Sequence, residues 1–201
     1  MRCKICETRK PRRYCPGVQG DICSICCGNE REVTVPCPLD CAYLREAHAR
    51  ETPVELNPGI PNADIQVPER FLIEQQRFLS GLGAVFHRAI GNADGVVDSD
   101  LREALDALTR TYRTLSNGLI YDSHPMNPFA DRIYRAIREW LQGRKERDAD
   151  ILGCLVFFQR AGLRLNNGRV KGRWFIEFLL REFQAEAAGV AEPDSPSLIE
   201  L

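Results

Sequence analysis

The chain has 201 residues, 44% of them apolar and 27% charged, with a formal net charge of −1 at pH 7. This composition excludes collagen, a long coiled coil and disorder over most of the chain, and the near-neutral charge gives no global attraction to nucleic acid or membranes. No apolar stretch reaches the roughly 20 residues of a membrane helix, and no apolar signal-peptide core follows Met1. We therefore expect a cytoplasmic protein without a membrane partner.

Eight of the nine cysteines lie within residues 3–41. Disulfides do not persist in a reducing compartment, so cysteines at this density favour a metal site. Cys3-x2-Cys6 and Cys23-x2-Cys26 are two knuckles with 16 residues between them, a spacing typical of zinc ribbons. Sites made only of thiolates select zinc or an iron–sulfur cluster, and this spacing favours zinc.

Eight thiolates are enough for two zinc ions, and the adjacent Cys26 and Cys27 can diverge toward different ions. The first predicted set is Cys3, Cys6, Cys23 and Cys26. The second is Cys15, Cys27, Cys37 and Cys41. Two alternatives stay open: Cys26 and Cys27 exchange places, or a single zinc sits on the two knuckles and leaves spare thiols.

His48 is a weaker candidate ligand for the second ion. The segment from Cys41 to His48 reads as a helix, which places the two residues about 10.5 Å apart along its axis. That separation is too large for both to reach one ion easily. We expect His48 to be a surface histidine.

The cysteine pattern resembles the HIT and MYND cross-braced zinc fingers. Cys3-x2-Cys6, Tyr14-Cys15-Pro16, Cys23-Ser24 and Cys27 carry the resemblance, which covers about 40 residues. Those fingers usually have a second cysteine soon after the one that follows the tyrosine and end with a His-to-Cys step. In this sequence the second cysteine is replaced by Gly17-Val18, and the His-to-Cys step is replaced by Cys37-x3-Cys41. The resemblance implies a module that contacts other proteins.

Residues 2–13 carry six basic side chains beside these cysteines. A zinc ion with four thiolates has a formal charge of −2, which nearby Arg and Lys can offset. Arg9, Lys10, Arg12 and Arg13 are therefore interpreted as charge compensation. The alternative is a patch that contacts phosphates.

The composition divides the rest of the chain. Residues 1–50 form the finger-like module, and residues 51–68 are rich in proline, which predicts an extended linker or a strap lying on the next domain. Residues 69–190 show helical periodicity, and residues 191–201 should form a frayed tail.

Five helices are predicted from apolar stripes and their flanking residues. Their approximate ranges are 69–90, 98–116, 128–141, 151–164 and 172–188. Asp98 or Ser99 should cap the second helix, and Asn127 followed by Pro128 should open the third. The fourth is apolar on nearly all sides, so it should lie in the middle of the bundle with Cys154 buried inside it.

No catalytic motif is visible. The residues Asp122-Ser123-His124 are more typical of a turn than of a triad, because a triad depends on geometry. A catalytic zinc keeps a position open for water, which eight thiolates around two ions would close. We therefore expect a protein that is not an enzyme.

Residues 160–173 form a second basic segment, which could pair with acidic neighbours, contact an acidic protein or bind nucleic acid. The sequence thus predicts an all-α protein with a small zinc-stapled module and a bundle of about five helices. Its expected function is protein–protein contact. The alternative is a nucleic-acid-binding regulator that uses segments 2–13 and 160–173.

Overall fold

A computed structural model describes residues 1–52, 59–91 and 95–184. The fold is predominantly helical, as predicted, with 55% helix, eight helices and one two-stranded sheet in the described ranges. The elements, in chain order, are β1 (Arg13–Cys15), β2 (Gly20–Ile22), α1 (Ser24–Glu30), α2 (Ala42–His48), α3 (Glu69–Glu74), α4 (Gln76–Gly91), α5 (Asp98–Ser116), α6 (Pro128–Leu141), α7 (Asp148–Arg164) and α8 (Trp174–Glu182).

The finger is built from β1, β2, α1 and α2. The two strands pair antiparallel, with Arg13 opposite Ile22 and Cys15 opposite Gly20. Its apolar core is small: Ile22 packs among the cysteines of one cluster, and Val35 and Leu44 pack in a second. A module with so little apolar core depends on other cross-links for stability.

The bundle contains a helix in each of the five predicted segments. The first segment is broken at Gln75 into α3 and α4. Asn127 caps α6 as predicted, because its side-chain oxygen accepts hydrogen bonds from the backbone N–H groups of Phe129 and Ala130 at 2.8 and 3.4 Å. The predicted end of the fifth helix, beyond residue 184, lies outside the described residues.

The predicted cap of α5 is wrong. Val97 is the N-cap residue, and its N–H donates to the Asp100 carboxylate at 2.9 Å. Asp98 instead accepts hydrogen bonds from the N–H groups of Phe175 and Ile176 at 3.2 and 3.0 Å, at the start of α8. Burial raises the pKa of Asp98 to about 7, although the two backbone donors oppose this effect. Asp98 therefore joins α5 to α8 rather than starting its own helix.

The apolar core lies between α4, α5, α6, α7 and α8. Helix α5 packs against α6, α7 and α8, and the rings of Phe86 on α4 and Phe158 on α7 lie 5.2 Å apart. Helix α7 is buried mainly between Ile151 and Phe158 and packs chiefly against α5, so α5 rather than α7 has the middle position that the sequence predicted for α7. Cys154 within α7 is fully buried, as predicted. Burial raises the pKa of the Cys154 thiol to about 12, so this cysteine behaves as a small apolar side chain.

Residues 59–67 lie against the bundle as a strap. The Arg160 guanidinium donates to the carbonyl oxygens of Pro61, Asn62 and Ile65 at 3.3, 2.8 and 2.9 Å. Arg113 pairs with Asp64 at 2.8 Å. This arrangement agrees with the strap alternative for that part of segment 51–68.

The remaining predictions about the linker and tail fall on residues 53–58 and 191–201, which lie outside the described residues. Among the helices that are described, none combines the length and the apolar character that crossing a bilayer requires.

Candidate metal centre and its junction with the bundle

The first predicted cysteine set comes together in the finger. The Sγ atoms of Cys3, Cys6, Cys23 and Cys26 all lie within 4.8 Å of one another. Four sulfurs bound to one zinc at 2.3 Å would be about 3.8 Å apart in a tetrahedron. Cys26, and not Cys27, completes this set.

Local backbone structure positions these sulfurs. Cys23 is the N-cap of α1, and its Sγ accepts a hydrogen bond from Cys26 N–H at 3.4 Å. The Cys23 N–H donates to Cys3 Sγ at 3.2 Å. These donors stabilise negative charge on sulfur, as in structural metal sites.

The thiols of this set titrate unequally. Hydrogen bonds from Thr8 and the Arg9 backbone lower the pKa of Cys6 to about 5. Burial, followed by the three neighbouring thiols, raises the pKa of Cys26 to about 12. Four crowded sulfurs do not all ionise together without a cation, and a divalent cation is the group that relieves their repulsion. The donor set therefore suits a metal ion.

The second predicted set is looser. Its members line one small cavity of about 20 Å³: Cys15, Cys27, Cys37 and Cys41. Cys37 is buried, with Cys15 and Cys41 packed beside it. Two groups of side chains in the described part of the chain bring three or more ligand atoms within 4.8 Å of one another, and the second cysteine set is not one of them.

All nine cysteines lie within the described residues, and none of them is in a disulfide there. Burial raises the pKa of Cys37, and the nearby Cys15 and Cys41 thiols add to the effect, although a hydrogen bond from the Glu32 backbone opposes it.

Several basic residues of the finger contact its cysteines directly. An Arg13 guanidinium nitrogen lies 3.7 Å from Cys27 Sγ, and one from Arg31 lies 3.9 Å from the same atom. A hydrogen bond to Cys23, followed by the charge of Cys6, raises the pKa of Arg9. These contacts agree with charge compensation for Arg9 and Arg13, and they add Arg31, which the sequence analysis did not identify.

His48 is not the surface histidine that the sequence predicted. Only 5% of its surface is exposed, because it lies between the finger and the bundle. Its Nε2 is 3.0 Å from an oxygen of Glu32, and its Nδ1 contacts the carboxylate of Glu177 on α8. Burial lowers the pKa of His48, but the hydrogen bonds and charges of the two glutamates outweigh burial and raise it to about 9.

Glu32 is the centre of this junction and is fully buried. Besides His48, its carboxylate accepts hydrogen bonds from Asn167 Nδ2 and the Arg173 N–H, both at 2.8 Å. Its carbonyl oxygen accepts the Lys171 N–H at 2.7 Å. Every polar group of Glu32 that faces the bundle therefore has a partner.

Further contacts surround Glu32. Arg169 pairs with Glu51 at 2.9 Å and donates to the carbonyl oxygen of Arg31 at 3.1 Å. The Lys171 ammonium donates to the carbonyl oxygen of Thr34 at 2.6 Å. Much of the basic segment 160–173 thus contacts the finger and the strap.

The ligand atoms of Glu32, His48 and Glu51 also lie within 4.8 Å of one another, so this group can hold a metal ion. Both ring nitrogens of His48 already face carboxylates, an arrangement that suits a protonated imidazolium. A metal ion would have to displace that proton. Ion pairs between a protonated His48 and the carboxylates of Glu32 and Glu177 account for the close approach of these side chains.

The raised pKa of His48 predicts a pH dependence. A folded-state pKa near 9, above the unfolded value of 6.5, means that the stabilisation is complete below pH 6.5 and is lost as the pH rises through 9. We expect the free energy of unfolding to fall by about 3 kcal/mol between pH 6.5 and 9.5, measured by urea titration at saturating zinc. Zinc–thiolate binding strengthens over the same range, so it acts in the opposite direction.

The control for this pH dependence is His48→Gln, which cannot titrate. The slope between pH 6.5 and 9.5 should flatten in that variant. An unchanged slope would show that other groups cause the loss. Glu32 does not contribute in this window, because its lowered pKa affects stability only in acid.

The residues Asp122-Ser123-His124 hold the connection between α5 and α6. Asp122 accepts hydrogen bonds from the Thr111 and Tyr134 hydroxyl groups. Ser123 Oγ accepts from Arg110 Nε at 3.0 Å, and the exposed His124 ring lies 3.6 Å from Asp122. These contacts are those of an anchored turn.

Sequence reasoning missed Glu32, Glu51 and Glu177. Glu32 follows Glu30-Arg31 in a charged stretch that resembles a solvated surface. No local pattern marks it as buried, because His48 lies 16 residues away and its other side-chain partners, Asn167 and Arg173, lie more than 100 residues away. Comparisons with family models, with curated proteins and with solved structures found no match, so the resemblance to cross-braced fingers rests on the cysteine pattern alone.

Proposed function

We propose that this chain is a non-enzymatic zinc-binding protein whose finger serves as a protein-interaction module on a helical bundle. The observation that carries the proposal is the convergence of Cys3, Cys6, Cys23 and Cys26 within 4.8 Å. Four thiolates fill the coordination sphere of zinc and leave no position for a reacting water. The ion is then structural, and the second ion sits on Cys15, Cys27, Cys37 and Cys41.

The surface of the finger supports a binding role. Besides Met1 at the chain start, four large apolar side chains are exposed on this small module: Tyr14, Ile25, Val33 and Tyr43. Tyrosine is among the residues most enriched at the energetic centres of protein interfaces, so Tyr14 and Tyr43 are the strongest candidate anchors. The junction around Glu32 holds the finger against the bundle, which presents this surface in a fixed orientation.

Nucleic-acid binding remains the second candidate, and the contacts of segment 160–173 weigh against it. Arg160 donates to backbone carbonyl oxygens of the strap, Arg169 pairs with Glu51, and Lys171 donates to Thr34. Side chains engaged in this way are poorly placed to neutralise phosphates.

The metal content tests the first half of the proposal. We expect two zinc ions per chain by elemental analysis of protein purified without added metal. One zinc ion would favour the single-site alternative, in which the second cysteine set stays reduced and unliganded. Iron with visible absorption would contradict the zinc assignment.

The binding role is tested by capture from a cell extract. Zinc-loaded full-length protein should retain its partners after nuclease treatment, and a Tyr14→Ser/Ile25→Ser variant should lose them. Ile73→Ser is the matched control, because Ile73 is at least as exposed as Tyr14 and Ile25 but lies on α3. Capture that disappears with nuclease would favour the nucleic-acid alternative, and equal capture by the finger variant would contradict the assigned surface.

A further inference from the structure

An open pocket of about 380 Å³ lies where the finger meets the bundle, and arginines dominate its lining. The four arginines come from separate parts of the chain: Arg13 on β1, Arg31 after α1, Arg50 after α2 and Arg169 after α7. Tyr43 lines the same pocket. Guanidinium groups repel one another, so their convergence calls for an anion.

Arg13 and Arg31 have most of their donors available. Arg13 contacts Cys27 Sγ through one nitrogen and lies over the Tyr43 ring at 3.9 Å. Arg31 also contacts Cys27 Sγ through one nitrogen. A guanidinium has five N–H donors, and within the described residues neither arginine has a carboxylate partner within 4.0 Å.

The pocket's own carboxylates do not balance these charges. Glu46 pairs with Arg50 at 2.7 Å on the solvent side, where both side chains are more than half exposed. Glu51 is held by Arg169 and by Asn167. Both acids thus pair with Arg50 and Arg169, and the donors of Arg13 and Arg31 that do not face Cys27 remain for a ligand.

We infer that this pocket binds a phosphate monoester dianion, with Arg13 and Arg31 as its bidentate contacts and Arg50 released from Glu46 to join them. The guanidinium fork matches phosphate oxygens, and a dianion suits two arginines that have no carboxylate partner and that each use one nitrogen on Cys27 Sγ. Tyr43 holds the Arg13 guanidinium in place by cation–π contact. This inference rests on the proposed interaction function, because it gives the chemistry of the partner's side chain.

The size of the pocket favours a phosphate carried by a larger group. A volume of about 380 Å³ lies in the range of ligand pockets and exceeds what a bare phosphate fills. A phosphorylated side chain of a protein partner fits this space. A small phosphorylated metabolite offers the same chemistry, and the test separates the two sources.

The experiment uses zinc-loaded full-length protein and a fluorescein-labelled Gly-Ala-phosphoserine-Ala-Gly peptide, followed by fluorescence anisotropy. We expect saturable binding of the phosphopeptide and none of the unphosphorylated peptide. Inorganic phosphate should compete more weakly than the peptide if the source is a protein side chain, and equally well if it is a small molecule. A single-stranded oligonucleotide that binds more tightly than the peptide would contradict the inference.

The variants are Arg13→Gln, Arg31→Gln and Arg31→Lys. Each Gln should weaken binding at least about tenfold while keeping a donor for Cys27, and Lys should weaken it because it lacks the planar fork. The matched control is Arg12→Gln, an exposed neighbour that does not line the pocket, which should change affinity less than about twofold. Equal weakening by Arg12→Gln would show general charge attraction and overturn the site.

Zinc content is measured on every variant and separates the two proposals. Wild-type protein that carries two zinc ions but binds no phosphate-bearing probe overturns this inference and leaves the proposed function standing. Protein without zinc overturns the proposed function itself. Should Arg31→Gln lose its metal, Arg50→Gln tests the pocket, because Arg50 contacts Glu46 and no cysteine.

Discussion

Cys23→Ser is expected to release one zinc ion and to unfold the first half of the finger. Cys23 supplies a sulfur to the first set and caps α1, so its replacement removes a ligand and alters a helix start. Zinc contributes about 10–16 kcal/mol to the folding of finger peptides, and the small apolar core of this module does not replace it. The bundle should keep most of its helical circular dichroism, because its core lies in α4 to α8.

Thiol alkylation followed by mass spectrometry shows which cysteines have lost their zinc ion. In Cys23→Ser protein, Cys3, Cys6 and Cys26 should become reactive while the second set stays protected. Cys26→Ser should behave in the same way, whereas Cys27→Ser should expose the second set alone. Cys154→Ala is the control, because this buried bundle cysteine should leave both ions in place. Protection of Cys3 and Cys6 in the Cys23→Ser protein would contradict the first assignment.

Local patterns predicted much of the molecule. The apolar period located the helical segments, and the Asn127-Pro128 pair marked the start of α6, because both features act within one or two turns of helix. A Cys-x2-Cys knuckle has the same local geometry in different proteins. The spacing of the two knuckles was therefore enough to predict that their four sulfurs come together. No glycine or proline lies beside Gln75, so no local signal in the sequence predicts the break between α3 and α4.

The errors concern polar residues whose partners are distant in the sequence. Asp98 resembles an ordinary N-cap, but it accepts from the backbone of α8, 77 and 78 residues away. His48 resembles an exposed residue at the end of a helix, but Glu32 and Glu177 enclose it. Local periodicity contains no information about such pairing, because it depends on how finished elements pack.

Glu32→Ala is expected to destabilise the junction of finger and bundle by about 3–5 kcal/mol, because it leaves the buried His48 with only one of its two carboxylates and removes the acceptor of two further N–H donors. The change removes one carboxylate partner of His48, and it also removes an acceptor of hydrogen bonds from Asn167 Nδ2 and the Arg173 N–H. Urea unfolding at pH 6.5 measures the loss. Glu46→Ala is the control on the same module, and its exposed ion pair should contribute less than about 1 kcal/mol.

Glu32→Gln separates charge from shape at the same position. Glutamine keeps an oxygen that accepts from the Arg173 N–H, but it removes one of the two negative charges that hold the proton on His48. The pKa of His48 should then fall, and the loss of stability on raising the pH should begin at a lower pH than in the wild type. A Glu32→Gln protein with the wild-type pH profile would show that Glu177 alone sets the pKa of His48. Glu32 would then act through its hydrogen bonds to the bundle rather than through its charge.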